Sequence, residues 1–167
     1  QSNRVIRWDS RGHGQSGFTT RAQDFAWPSL ALHALAIAAE SGLDQFVLGG
    51  GSMGCGAAVR AALLAPEKVK ALLLVVPPTA WEARQATREA YPKTAELLEQ
   101  KGLPALLDSW LPPTTFWGIY TEAAHKRHLE KLNPQALALI FRGAALSDLP
   151  PRQAVAAIRV PTLILAM

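Results

Sequence analysis

The sequence is short of cysteine, of charge and of long apolar runs, and each shortage excludes something. Its one cysteine, Cys55, cannot close an internal disulfide, so no disulfide framework holds the fold, and no Cys/His spacing resembles a zinc site. A reducing compartment, the cytoplasm, is the expected location. The longest apolar stretches, Phe46 to Leu48 and Ala71 to Pro78, fall far below the roughly 20 residues that cross a membrane, so no membrane contact is expected. Charged residues make up 18% of the chain with a net charge of +4. The basic residues are interleaved with acids, as at Glu67-Lys68 and from Arg127 to Lys131, which describes a solvated surface rather than a nucleic-acid interface. Apolar residues are 49% of 167, the composition of an ordinary globular chain able to bury one core. It starts at Gln1 and stops at Met167 inside an apolar run, so both ends are expected to be cuts, and a signal peptide would lie outside it.

What is present alternates between strand and helix signals. Arg4 to Trp8 is a short β-rich run closed by the glycine-punctuated loop Asp9 to Gly17, which predicts a strand feeding a turn. Leu30, Ala34, Ile37 and Ala38 recur at helical spacing between Pro28 and Gly42, predicting a helix over Pro28 to Ser41. Phe46 to Gly49 reads as a strand entering Gly49-Gly50-Gly51-Ser52-Met53-Gly54, and Ala57 to Ala65 as the helix that follows. Val69 to Val76 is apolar almost throughout, without strict alternation, and predicts a strand buried on both faces. The order argues for a parallel sheet with helices on its faces.

From Thr79 to Pro151 the pattern changes to short helices broken by proline and glycine: Ala80 to Tyr91, Thr94 to Lys101, Pro104 to Trp110, Thr121 to Leu132 and Pro134 to Gly143. An all-helical insertion is expected there, with the sheet resuming at Val160 to Leu165. The division expected is a core over 1–78, a helical cap over 79–151 and a return to the core over 152–167.

The glycine turn fits two motifs with different chemistry. G-x-G-x-x-G spans Gly49, Gly51 and Gly54, but a dinucleotide site wants an acid at the end of the next strand, and Leu72 to Val76 has none. A phosphate loop wants Lys and Ser/Thr where Cys55 and Gly56 stand. G-x-S-x-G spans Gly50, Ser52 and Gly54. A serine at a sharp strand-to-helix bend is pushed clear of the sheet, and its neighbours two positions away must be nearly free of side chain. The amide of Met53, at the start of the helix, then faces a developing oxyanion.

VIRWDSRGHGQSG, FVLGGGSMGCGAA, PEKVKALLLVVPP, a helical segment and VPTLILA, in that order, resemble the middle of an α/β-hydrolase fold of the bacterial esterase, enol-lactonase and cofactor-free haloperoxidase kind. The resemblance covers nearly the whole chain. It implies a partial fold of this class, Ser52 as nucleophile, an oxyanion N–H from Met53, a small ester or lactone as substrate, and no metal or organic cofactor. It also implies that a second oxyanion donor, the acid and the histidine lie outside 1–167, so the chain alone should turn over little. In the same family a strand preceding Arg4 runs between Arg4 to Trp8 and Phe46 to Gly49, so a gap or a rearranged sheet edge is expected. Gly51 stands where many relatives carry a side chain, which leaves the bend roomier.

Other polar residues read as structural. His13 sits in the loop after the first strand, and Asp9 and Arg11 are expected to brace that loop by bonding each other and backbone amides. His33 falls inside the first helix, and His125 and His128 on an exposed helical face. Cys55 reads as a small buried helix residue. Trp110, Phe116, Trp117 and Tyr120 either line an apolar acyl pocket or form the packing core of the cap. Two functional readings stand open: the central part of a serine hydrolase, or a non-catalytic interaction module that keeps the fold without the chemistry. Oligomeric state is not legible, and ester, lactone and perhydrolysis chemistry are not separable at this level.

Overall fold

The computed structural model describes residues 3–110 and 132–166. A 3-10 turn over Ala22–Phe25 leads into helix α1, Trp27–Glu40, which carries Pro28 in its first turn, where no intrahelical N–H is needed. Strand β1, Phe46–Gly51, turns directly into helix α2, Met53–Leu64, and strand β2 follows over Val69–Val75. A 3-10 turn, Trp81–Arg84, opens helix α3, Gln85–Trp110. Helix α4, Pro134–Ala145, is capped by Asn133, whose side chain accepts from the amides of Gln135 and Ala136. A short helix α5, Arg152–Ala156, precedes strand β3, Thr162–Leu165. None of the described helices is long and apolar enough to cross a membrane.

The three strands form one parallel sheet in the order β1-β2-β3, which puts their carboxyl ends, and the bend after β1, on one edge. Packing begins with Leu48, Leu72 and Leu74 from the sheet. Against them lie Ala58, Val59, Ala61 and Ala62 of α2 and Ala31 and Ala34 of α1. The small residues of α2 are what let it lie close between α1 and the strands. The expectation that β2 is buried on both faces does not hold. Leu73 is 36% exposed, and its partner Leu163 on β3 and Val47 on β1 are more exposed still, because the described helices pack against the face that carries Leu72 and Leu74.

Residues 4–8 do not form the expected strand. A strand needs a ladder, and none of the described strands pairs with this segment or with the free edge of β1. Between the two lies a cavity of about 610 Å³, lined by residues that include Ile6, Trp8, Leu48 and Gly50. That cavity occupies the gap expected in the sheet. Val5 is 77% exposed, and Arg4 reaches across to the carbonyl of Ser41 at 3.0 Å.

The helical segment departs from expectation at its breaks. Pro92 lies inside α3 instead of ending a helix, and the kink comes at Gly102, with φ 73° and ψ −174°, a backbone that glycine alone adopts freely. Tertiary packing overrides the local proline signal here. Tyr91 on one side of Pro92 and Ala95 and Leu98 on the other all pack onto Ala138 and Phe141 of α4. This cluster is separate from the one under the sheet. The helix expected over Thr121 to Leu132 falls largely outside the described residues.

A buried arginine ties the ends of the segment together and packs them on Trp27 of the core. Arg84 is 1% exposed and donates to the carbonyls of Ser147 at 2.8 Å, Ala144 at 3.2 Å and Thr79 at 3.3 Å. Its guanidinium lies 4.2 Å from the centroid of the Trp27 ring. Ser147 completes the junction, accepting from the Trp27 amide at 3.0 Å and donating to the Gly143 carbonyl at 2.7 Å.

Candidate active site

The bend between β1 and α2 is built from backbone constraints. Ser52 takes φ 47° and ψ −114°, outside the region that residues with a Cβ normally occupy. Its amide donates to the carbonyl of Val75 on β2 at 3.0 Å, and its carbonyl accepts from the amide of Cys55 at 2.9 Å. The strained residue is therefore pinned to the neighbouring strand on one side and to the first turn of α2 on the other. Its side chain caps no helix amide, the residue is exposed, and among the described residues none hydrogen-bonds to its Oγ.

Gly50 makes the bend possible. A Cβ there would lie 2.3 Å from the carbonyl carbon and oxygen of Gly54 and 2.9 Å from the amide nitrogen of Cys55. The matching expectation for Gly54 is not met, since a Cβ at Gly54 would meet nothing within 4 Å. The close approach is between the Gly50 side of the strand and the backbone of α2, so only one of the two motif glycines is sterically required. Gly51 is open as expected, its nearest neighbour being the Val75 carbonyl at 3.9 Å.

Beneath the bend the thiol of Cys55 is shared between the carbonyls of Gly50, at 3.1 Å, and Val75, at 3.3 Å. The residue is 2% exposed, and burial pushes its thiol above the usual range. It is packing for the bend, as read from the sequence, and not a second nucleophile. Met53 is the first residue of α2, whose amide has no partner inside the helix and sits at the positive end of its dipole. The arrangement can hold a serine hydroxyl beside an amide donor at the carboxyl edge of a parallel sheet, where ligands of open α/β sheets bind.

The other polar residues lie elsewhere. Asp9 accepts from the amide of Gln15 at 3.1 Å, and His13 Nδ1 contacts the Arg11 carbonyl at 3.1 Å, so both tie down their own loop. Arg11 does not bond Asp9 as expected. It reaches Asp24 at 3.4 Å and contacts the ring of His33, because the 3-10 turn Ala22–Phe25 and helix α1 each present one of these partners to the loop. Burial first, and then the Arg11 charge, holds the His33 imidazole below its ordinary pKa. Phe116, Trp117 and Tyr120, as well as His125 and His128, lie outside the described residues, and so does the side chain of Trp110.

Two features at this site went unread in the sequence. Gly56 lies against the Trp27 ring so closely that a Cβ would fall 2.2 Å from it, and Val76, directly after β2, has φ 50°. The run Val76-Pro77-Pro78 was the available signal of an abrupt chain turn.

The family model described as alpha/beta hydrolase fold matches residues 2–107. The chain belongs to the alpha/beta hydrolase fold family. It is similar in structure to the enol-lactonase from Burkholderia xenovorans LB400, with a TM-score of 0.77 and 21% identity over 95% of this chain and 60% of that one. It is also similar to a thermophilic esterase from Thermogutta terrifontis, with a TM-score of 0.71 and 22% identity over 93% of this chain and 58% of that one. Epoxide hydrolases from metagenomes of hot environments share the fold at a TM-score of 0.67 and 18% identity, over 93% of this chain and 62% of theirs. The chain thus spans about 60% of the length of the enol-lactonase. No curated protein matches the sequence significantly. At this level of identity the likeness establishes a hydrolase fold, a partial one with a parallel three-stranded sheet.

Proposed function

We propose that Ser52 is the nucleophile of a hydrolase acting on a small carboxylic ester or lactone. The observation that carries this reading is the left-handed backbone of Ser52, φ 47°, in a residue whose side chain would be free of strain in any ordinary turn. Backbone strain is kept here by the Val75 carbonyl and by Gly50, and its effect is to present a hydroxyl rather than to bury or cap with it. In the reaction, Oγ adds to the substrate carbonyl carbon as a base takes its proton. The Met53 amide donates to the resulting oxyanion, the leaving alkoxide departs with that proton, and water then releases the acid from Ser52 by the same steps in reverse role.

Residues 79–151 serve as a cap in this reading, supported by their separate hydrophobic cluster and by the contacts of Arg84 and Ser147 with Trp27. The 167 residues by themselves are expected to turn over poorly, since no described histidine or carboxylate bonds Ser52 and a serine hydroxyl without a base is a weak nucleophile. The test is a fluorophosphonate label and a p-nitrophenyl ester assay on the polypeptide that contains this sequence in its complete form. Labelling at Ser52 and loss of turnover by a factor of about 10³ or more in Ser52→Ala is expected. Turnover that survives Ser52→Ala overturns the assignment.

A further inference from the structure

Ser52 is not alone in its strain at this edge of the sheet. In the parallel register Gly51 pairs with Val75, so Ser52 and Val76 are the next residues on adjacent strands. Both have positive φ, 47° and 50°. For Val76 this is the more costly conformation, because it is β-branched and also precedes Pro77, which by itself favours extended backbone. Such a state persists only where the surroundings over-determine it, and here they do. The single peptide group between Val75 and Val76 accepts from the Ser52 amide at 3.0 Å and donates to the Leu165 carbonyl at 2.6 Å. The Cys55 thiol also donates to the Val75 carbonyl, at 3.3 Å. Adjacent strands lie about 4.8 Å apart, which brings the backbone of Val76 within one strand spacing of the serine. Yet the branched side chain that makes the conformation costly stays 37% exposed. Core packing therefore does not account for a valine at a position where glycine would be relaxed.

We infer that Val76 is a specificity-determining residue that limits the acyl group admitted beside Ser52, favouring short-chain esters and small lactones. This rests on the assignment of Ser52 as nucleophile and adds to it a wall on the β2 side of the site. Val76, directly after β2, lies one strand spacing from Ser52 at the carboxyl edge of the sheet, so an acyl group directed along that edge from Oγ meets its exposed side chain. One methylene group more or less in an apolar pocket changes kcat/KM by a factor of about 10–200.

The experiment compares kcat/KM for p-nitrophenyl octanoate and acetate in the complete enzyme carrying Val76→Gly, Val76→Ala or Val76→Phe. The octanoate-to-acetate ratio is expected to rise about tenfold in Val76→Gly, to rise less in Val76→Ala, and to fall about tenfold in Val76→Phe. Relief of strain alone would raise the melting temperature of Val76→Gly without moving that ratio. A ratio that stays put, or moves the same way in the small and large variants while Ser52→Ala abolishes turnover, overturns the role of Val76 and leaves Ser52 standing. Absence of Ser52-dependent turnover in the unsubstituted enzyme overturns both.

Discussion

Gly50 lies so close under Gly54 that a methyl group on it would sit 2.3 Å from the Gly54 carbonyl, whereas a methyl group on Gly54 would meet nothing within 4 Å. The two glycines are symmetric about Ser52 in the sequence and unequal in the fold.

Substitution should expose that inequality. Gly50→Ala forces backbone against backbone, where no flexible side-chain tip can yield, and is expected to cost at least about 2 kcal/mol. Gly54→Ala replaces a glycine within α2 by the best helix former and is expected to be neutral or stabilising by up to about 1 kcal/mol. Urea unfolding of the two variants checks this, and equal destabilisation by both would contradict it.

Arg84 supplies the second prediction. It is buried with carbonyl partners and two aromatic rings, Trp27 and Tyr91, around its guanidinium. Arg84→Ala strands buried carbonyls and empties the space over Trp27, so a loss of about 2–4 kcal/mol is expected. Arg84→Lys keeps the charge but cannot reach three acceptors with a planar fork, and should fall between the two. An Arg84→Ala variant within 0.5 kcal/mol of the parent, a margin of about the usual surface effect, would remove the junction from the account of how the helical segment is held.

The third concerns pH. The folded-state pKa of His33 is lowered, by burial and then by Arg11, so the unfolded chain binds its proton more readily than the folded one. The stability contributed by neutral His33 is present above the ordinary imidazole value of about 6.5 and is lost as pH falls through the lowered folded value. Urea midpoints measured at pH 7.5 and 5.5 should therefore drop more in the parent than in His33→Gln. An equal drop in both would assign the acid sensitivity elsewhere.

Much of this architecture was legible without coordinates because it rests on local signals. Pro28 at a helix start, the glycine run between an apolar strand and an alanine-rich helix, and the apolar β2 run each state their element within a few residues. Where the reading failed, the deciding partner was distant in sequence. Arg4 to Trp8 has strand composition but no ladder, and Pro92 has the chemistry of a helix break but lies between residues that α4 holds in place. Sequence proximity pairs Arg11 with Asp9, but the fold pairs it with Asp24, because the 3-10 turn Ala22–Phe25 packs that residue against the loop.

By itself, then, the amino-acid order determined that a strand, a tight bend and a helix follow one another around Ser52 and that a helical segment interrupts the sheet, since periodicity and turn chemistry are properties of neighbours along the chain. Only the tertiary structure decided that the Val75–Val76 peptide at the end of β2 links the serine to β3, that Gly50 and not Gly54 is sterically required, and that Arg84 joins the helical segment to Trp27. Each of those depends on which backbones approach one another, and that distance is set by packing across the fold.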